Sequence, residues 1–270
     1  MCGLTVVAKE QKFSREHSRT PTKEKSSTKL FPLESFIDLS NIEASLKSLD
    51  HFDADYGALV DIVSRRYSER LGIRYIHRVD WAKQHARKTG EPVAYSKKVW
   101  AVASVPVEHH REDDTRVEKY KRFLGALRMR KGFNIQEIPL NFHGYHIRRE
   151  ERLLSSNEAE RGCCPREKCV DIALAVRLLK RCVSPDAPAG VILWTGDADL
   201  SIALYDVVQN NPQITAMVAG FEDRLSNVYW NGGIMGYSWP FPPIILDDCL
   251  AELHPRTGAC QPICTPLFQK

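Results

Sequence analysis

No run of apolar residues in this sequence approaches the roughly 18 that a membrane-spanning helix requires, and the early stretch Leu4 to Ala8 is too short for the core of a secretory signal. The chain is therefore expected to be soluble and cytoplasmic, with no membrane partner. No internal repeat is visible, which leaves a repeat array without support. Excess charge is missing from the body of the chain. The formal net charge is +4, and Met1 to Pro32 alone carries seven Lys and Arg against three Asp and Glu. With the remainder formally neutral, the charge balance does not argue for a globally cationic nucleic-acid binder, and any phosphate affinity must come from the tail, from local patches or from a bound metal.

Residues 9–29 hold hardly an apolar side chain, so burial cannot offset the entropy of ordering them. Residues 1–32 are read as a disordered basic tail: a solvated leader, a nucleic-acid contact or an address signal. What is present beyond it suffices for a core: 270 residues of which 43% are hydrophobic. A single domain over 33–253 follows, with an extension over 254–270.

Apolar periodicity predicts strands at Leu33 to Ile37, Val99 to Val105, Ile135 to Ile138, Gly190 to Trp194, Ile214 to Ala219 and Ile244 to Leu246. Helices are predicted over Tyr56 to Arg70, Asp113 to Arg130, Val170 to Leu179 and Leu200 to Val208. The helix opening at Val170 is apolar almost all round, as a fully buried helix would be. Residues 78–97 read as an irregular insertion and 141–167 as a loop. Alternating strands and helices imply a parallel sheet with right-handed crossovers.

The eight cysteines are read as reduced thiols or metal ligands. Cys163, Cys164 and Cys169, with Cys260 and Cys264, offer enough thiolates for a structural Zn²⁺. Their spacing matches no common zinc motif, and small buried thiols are the commoner outcome. His109 and His110 are either solvated loop residues or neighbours of a site. Basic clusters at Arg128, Arg130 and Lys131 and at Arg148, Arg149 and Arg152 are solvated faces or phosphate contacts. The aromatic and proline stretch from Tyr237 to Pro243 packs around the last strand or offers a stacking surface.

Asp38 follows one apolar strand, and Asp197 and Asp199 follow another, at the carboxyl ends where open α/β sheets place ligands. Asp171 opens the intervening helix. Each alone reads as a cap or first-turn carboxylate. Together, four carboxylates in one crevice would repel one another unless a cation neutralised them, which points to a hard divalent ion with oxygen ligands, Mg²⁺ or Mn²⁺. Gly196, between a buried strand and two aspartates, permits a close backbone approach that a cap does not need.

Three segments carry a resemblance: Phe36-Ile37-Asp38-Leu39-Ser40-Asn41, Lys168-Cys169-Val170-Asp171-Ile172-Ala173-Leu174-Ala175-Val176, and Leu193-Trp194-Thr195-Gly196-Asp197-Ala198-Asp199-Leu200. In type and order they resemble the NYN family, the LabA-like branch of the PIN-like nucleases. The resemblance implies a single α/β domain with a doubly wound, mostly parallel sheet of PIN-like type. It implies that Asp38, Asp171, Asp197 and Asp199 hold the metal, that Asn41 orients substrate or a water, that Thr195 hydrogen-bonds a carboxylate and that Lys168 touches a phosphate. The implied activity is an endoribonuclease hydrolysing RNA; the alternative is a regulatory protein that keeps the fold and binds RNA or a protein without useful turnover. A homo-oligomer is compatible with either. The chain departs from the pattern at Arg177, where many members carry an acid six residues after the helix aspartate, and at Leu200, where Phe is frequent. Arg177 either turns to the pocket as a phosphate clamp or points to solvent.

Overall fold

The computed structural model describes residues 29–49, 54–105, 114–130, 132–139, 169–230 and 239–253. Its centre is strand β1, Leu30–Asp38, buried from Leu33 onward because β3 lies on one side and β5 on the other. The elements in chain order are β1, α1 (Leu39–Ser48), α2 (Tyr56–Arg70), β2 (Arg74–Tyr75), α3 (Val79–Thr89), β3 (Val93–Val105), α4 (Asp114–Met129), β4 (Phe133–Pro139), α5 (Val170–Cys182), β5 (Gly190–Trp194), α6 (Leu200–Asn210), β6 (Thr215–Gly220), β7 (Ile244–Ile245) and α7 (Leu246–Leu253). The sheet runs β2-β3-β1-β5-β6-β7, with β4 also paired to β3, and every pairing is parallel.

Two apolar cores sandwich this sheet. On one face Leu39, Ile42 and Leu46 of α1, Leu59 and Val63 of α2, Leu124 of α4 and Leu250 of α7 meet Ile37, Ala101, Ile192 and Trp194. On the other, Leu174 and Leu178 of α5 and Leu204 and Val207 of α6 meet Phe36, Val102, Val191 and Leu193. Each strand thus sends alternate side chains to opposite cores. Helices on both faces of a parallel sheet are the doubly wound arrangement expected from the alternation of elements.

Several expectations need correction. The tail boundary at residue 32 is late, since Leu30 to Pro32 already pair with Val93 to Tyr95. Residues 78–97 are not an irregular insertion. Val79–Thr89 is a helix closed by Gly90 at φ 72°, and β3 begins at Val93. The phase of β3 hides its first half. Leu33 pairs with Ser96 but Glu34 with Lys98, so Lys97 is the extra residue of a bulge. Ala94 before it and Val99 after it face the same core, although five positions apart. Strict alternation would have sent them to opposite faces.

Helix α5 is not buried all round: Ile172 and Val176 are 64% and 43% exposed, so its apolar residues cover more than the buried stripe. Helices α1 and α7 and strand β2 are further elements beyond those anticipated, and the predicted strand Ile244 to Leu246 ends at Ile245, where α7 begins. Trp239 and Phe241 pack against the two cores on either side of β7, in line with the packing reading of that stretch. No helix among the described residues is long and apolar enough to cross a membrane.

Candidate functional site

Strands β1 and β5 are neighbours, yet their chains leave in opposite directions: β1 into α1 on the first core, β5 into α6 on the second. A crevice opens outside the carboxyl ends of two such strands, the position where doubly wound sheets bind ligands. Asp38 ends β1 and is 4% exposed; Thr195, Gly196 and Asp197 continue β5.

Hydrogen bonds sew the two loops together. Asp38 accepts the Asn41 N–H on Oδ1 at 3.0 Å and so caps α1. Asn41, one turn in, accepts the Gly196 N–H on its own Oδ1 at 3.0 Å across the crevice. Asp197 accepts the Asp199 N–H on Oδ1 at 2.9 Å, and its backbone carbonyl accepts the Tyr229 hydroxyl at 2.6 Å. Burial, with the charges of Asp197 and Asp199 adding, pushes the Tyr229 phenol well above its ordinary range, so it stays a donor. At Gly196 a Cβ would lie 2.4 Å from the Arg224 carbonyl oxygen, and the Ser226 N–H donates to the Gly196 carbonyl at 3.0 Å. The close approach anticipated for this glycine is present, and the partner is the segment after β6.

The cap readings hold for Asp38 and Asp171 and differ at Asp199. Asp38, not Asp199, carries the capping bond; Asp199 stands at the N-cap of α6 without one, and Asp171 sits in the first turn of α5. Thr195 Oγ1 accepts the Asp197 N–H at 3.0 Å, so it holds the backbone of the acidic loop rather than a carboxylate. Asn41 positions the two loops. Tyr229 and Ser226 were not legible as site residues, because only the return of the chain after β6 brings them to Asp197 and Gly196. Among the described residues, no three His, Cys, Asp or Glu side chains are grouped closely enough to hold one ion.

Arg177 lies neither in the crevice nor in solvent. Its guanidinium stands 5.0 Å from the Trp100 ring centroid, and it donates to Gln136 Oε1 at 3.1 Å. Of the basic cluster near α4, Arg128 is paired with Glu137 at 2.6 Å and Arg130 with Asp55 at 2.5 Å. Cys182 and Cys249 are buried thiols pushed up to about 12 and about 11 by desolvation, while Cys169 is exposed. Lys168, His109, His110, Lys131, Arg148, Arg149, Arg152 and the remaining cysteines lie outside the described residues, as does the proposed zinc cluster but for Cys169.

Fold and crevice define a parallel, doubly wound α/β protein with an acidic rim at its switch point. No family model and no curated protein match the chain. Among solved structures it is similar to a protein of unknown function from Vibrio parahaemolyticus, at 14% identity and TM-score 0.42, over 74% of this chain and 88% of that one.

Proposed function

We propose that this chain is a PIN-like, NYN-type endoribonuclease that hydrolyses RNA phosphodiesters with the help of Mg²⁺ or Mn²⁺. The observation that carries the reading is the placement of Asp38 and Asp197 on the two sides of the β1/β5 crevice, tied by the Asn41–Gly196 bond. The donor set is all oxygen, which suits a hard cation. Since no three acidic side chains are grouped among the described residues, the fitting arrangement is one or two carboxylates, with water and substrate phosphate completing the shell, as Mg²⁺ commonly accepts. Asp38 and Asp197 would hold it, with Asp171 and Asp199 acting through water. The ion supplies positive charge against the phosphoryl oxygens and acidifies nearby water.

The residues of the chain do the rest. Asn41 and Gly196 fix the separation of the acidic loops, and Thr195 and Tyr229 hold the Asp197 backbone. Asp199, exposed at the rim and making no capping bond, takes the proton from a water whose oxygen bonds to phosphorus as the bond to the leaving sugar oxygen breaks.

Labelled single-stranded and structured RNA, incubated with Mn²⁺, Mg²⁺ or chelator, tests the proposal. Cleavage is expected only with metal, and to fall at least about a hundredfold in Asp38→Asn and Asp197→Asn. Activity unchanged by chelator and by both substitutions refutes it. A second reading, a binding protein without turnover, is favoured by the ungrouped carboxylates and by an arginine at position 177; binding without cleavage under every metal condition would select it.

A further inference from the structure

On the sheet face that carries Asp38, strands β3 and β4 leave a small platform beside the crevice. Trp100 pairs in register with Asn134, and Val102 with Gln136, so these four side chains project to the same side. Trp100, Asn134 and Gln136, with Arg177 of α5 and Arg128 of α4, line a cavity of about 440 Å³. Small-molecule sites span roughly 300–1,000 Å³, so one nucleotide-sized ligand fits.

Arg177, like Lys98 on the same Trp100 ring, has no carboxylate partner among the described residues. Its contacts are the neutral Gln136 amide and the Trp100 ring. Its neighbours differ: Arg128 is neutralised by Glu137, and Arg181, one turn further along α5, by Glu34 and Asp186. A guanidinium already aligned by a ring and an amide loses little freedom on taking a phosphate through two parallel N–H bonds. Beside it the half-buried Trp100 ring is apolar, while the carboxamides of Asn134 and Gln136 each donate and accept, as the edge of a base requires.

We propose that this cavity is a nucleotide subsite, with the phosphate on Arg177 and the base against the carboxamides of Asn134 and Gln136. Asp38 is in register with Val102. At about 4.8 Å per strand, Gln136 then lies about 10 Å from Asp38. A nucleotide in the cavity can therefore belong to the strand whose next phosphate enters the crevice. That placement rests on the ribonuclease reading; the binding itself does not.

Calorimetry in chelator-containing buffer separates the two. 5′-AMP and 5′-UMP are titrated alongside adenosine, uridine, inorganic phosphate and a hexaribonucleotide lacking terminal phosphates. Mononucleotides are expected to bind at least about tenfold tighter than nucleosides or phosphate, a difference of about 1.4 kcal/mol. Arg177→Gln should weaken this about tenfold and Asn134→Ala measurably, with Asp197→Asn unchanged, so that a failed cleavage assay leaves the result standing. Asn134 is exposed, so its truncation leaves the core intact, and thermal melts check both variants. A hexamer that loses affinity in Arg177→Gln identifies a chain phosphate as the source. A hexamer indifferent to it, with mononucleotides still sensitive, identifies a free nucleotide. No mononucleotide binding at millimolar concentration, or binding unaffected by both substitutions, overturns the proposal.

Discussion

Removing the guanidinium of Arg181 should cost this protein about 3 kcal/mol, and the reason lies in a carboxylate buried mid-strand. Glu34 is fully buried in β1. Its oxygens accept from Arg181 at 2.6 and 2.9 Å and from the Trp100 indole N–H at 2.6 Å, with the Lys97 ammonium 3.7 Å away. The interaction also raises the Arg181 pKa above its already high ordinary value, chiefly through the Glu34 hydrogen bonds. Breaking a buried ion pair by deleting one member costs about 3–5 kcal/mol, because the other charge stays desolvated. Lys97 remains beside Glu34 in Arg181→Ala and offsets part of that loss, which places the effect at the lower end.

Urea unfolding followed by far-ultraviolet circular dichroism reads it directly. With a slope of about 2 kcal/mol per molar, the midpoint should fall by about 1.5 M. Replacing both partners, as in Glu34→Leu with Arg181→Met, should recover most of the loss, since an apolar pair of similar volume carries no desolvated charge. A midpoint shift below about 0.3 M in Arg181→Ala, or a double variant as unstable as the two single losses combined, would show that burial of Glu34 is not the source of the cost.

Gly196→Ala should lower the melting temperature by about 3–10 °C, from about 1–3 kcal/mol of overpacking against the Arg224 carbonyl, and slow any cleavage by parting the acidic loops; an unchanged melt would show that the segment after β6 yields freely. Asp186 accepts from Arg181, Lys97 and Ser184, which hold its carboxyl below the usual carboxylate range. Its stabilising contribution is therefore present above an unfolded pKa near about 3.9 and is lost as pH falls through the lower folded value. Asp186→Asn should flatten the loss of melting temperature below about pH 4, and parallel curves for the two proteins would remove Asp186 from the acid response.

Where local pattern and global environment agree, the sequence is a sufficient guide. Gly190 to Trp194 is a continuous apolar run because β1 and β6 flank it and both faces are covered, and its limits match β5 residue for residue. Tyr56 to Arg70 is capped by Asp55, whose Oδ1 accepts the Ala58 N–H, and is likewise found whole. Elements whose pattern is interrupted by a tertiary demand were hidden. Lys97 breaks the alternation of β3 because it reaches Asp186, accepting neither core as its surroundings. Val79–Thr89 buries only Ala82 and Ala86, too narrow a stripe to stand out against its charged positions.

The site divides along the same line. Asp38 and Asp197 are visible because carboxyl ends of strands are positions that topology makes special. Arg177 and Arg181 illustrate what is not visible: two like charges one turn apart on α5, both near the Trp100 ring at 5.0 and 5.8 Å. What separates them is the partner beneath, since among the described residues Arg181 finds Glu34 and Arg177 an amide and a ring, and both partners come from strands remote in sequence. An acid at position 177 would here meet the electron-rich face of an indole, which repels anions. Arginine at 177 and tryptophan at 100 are thus matched to each other. The Trp100 ring seats a cation at position 177 that no carboxylate among the described residues neutralises.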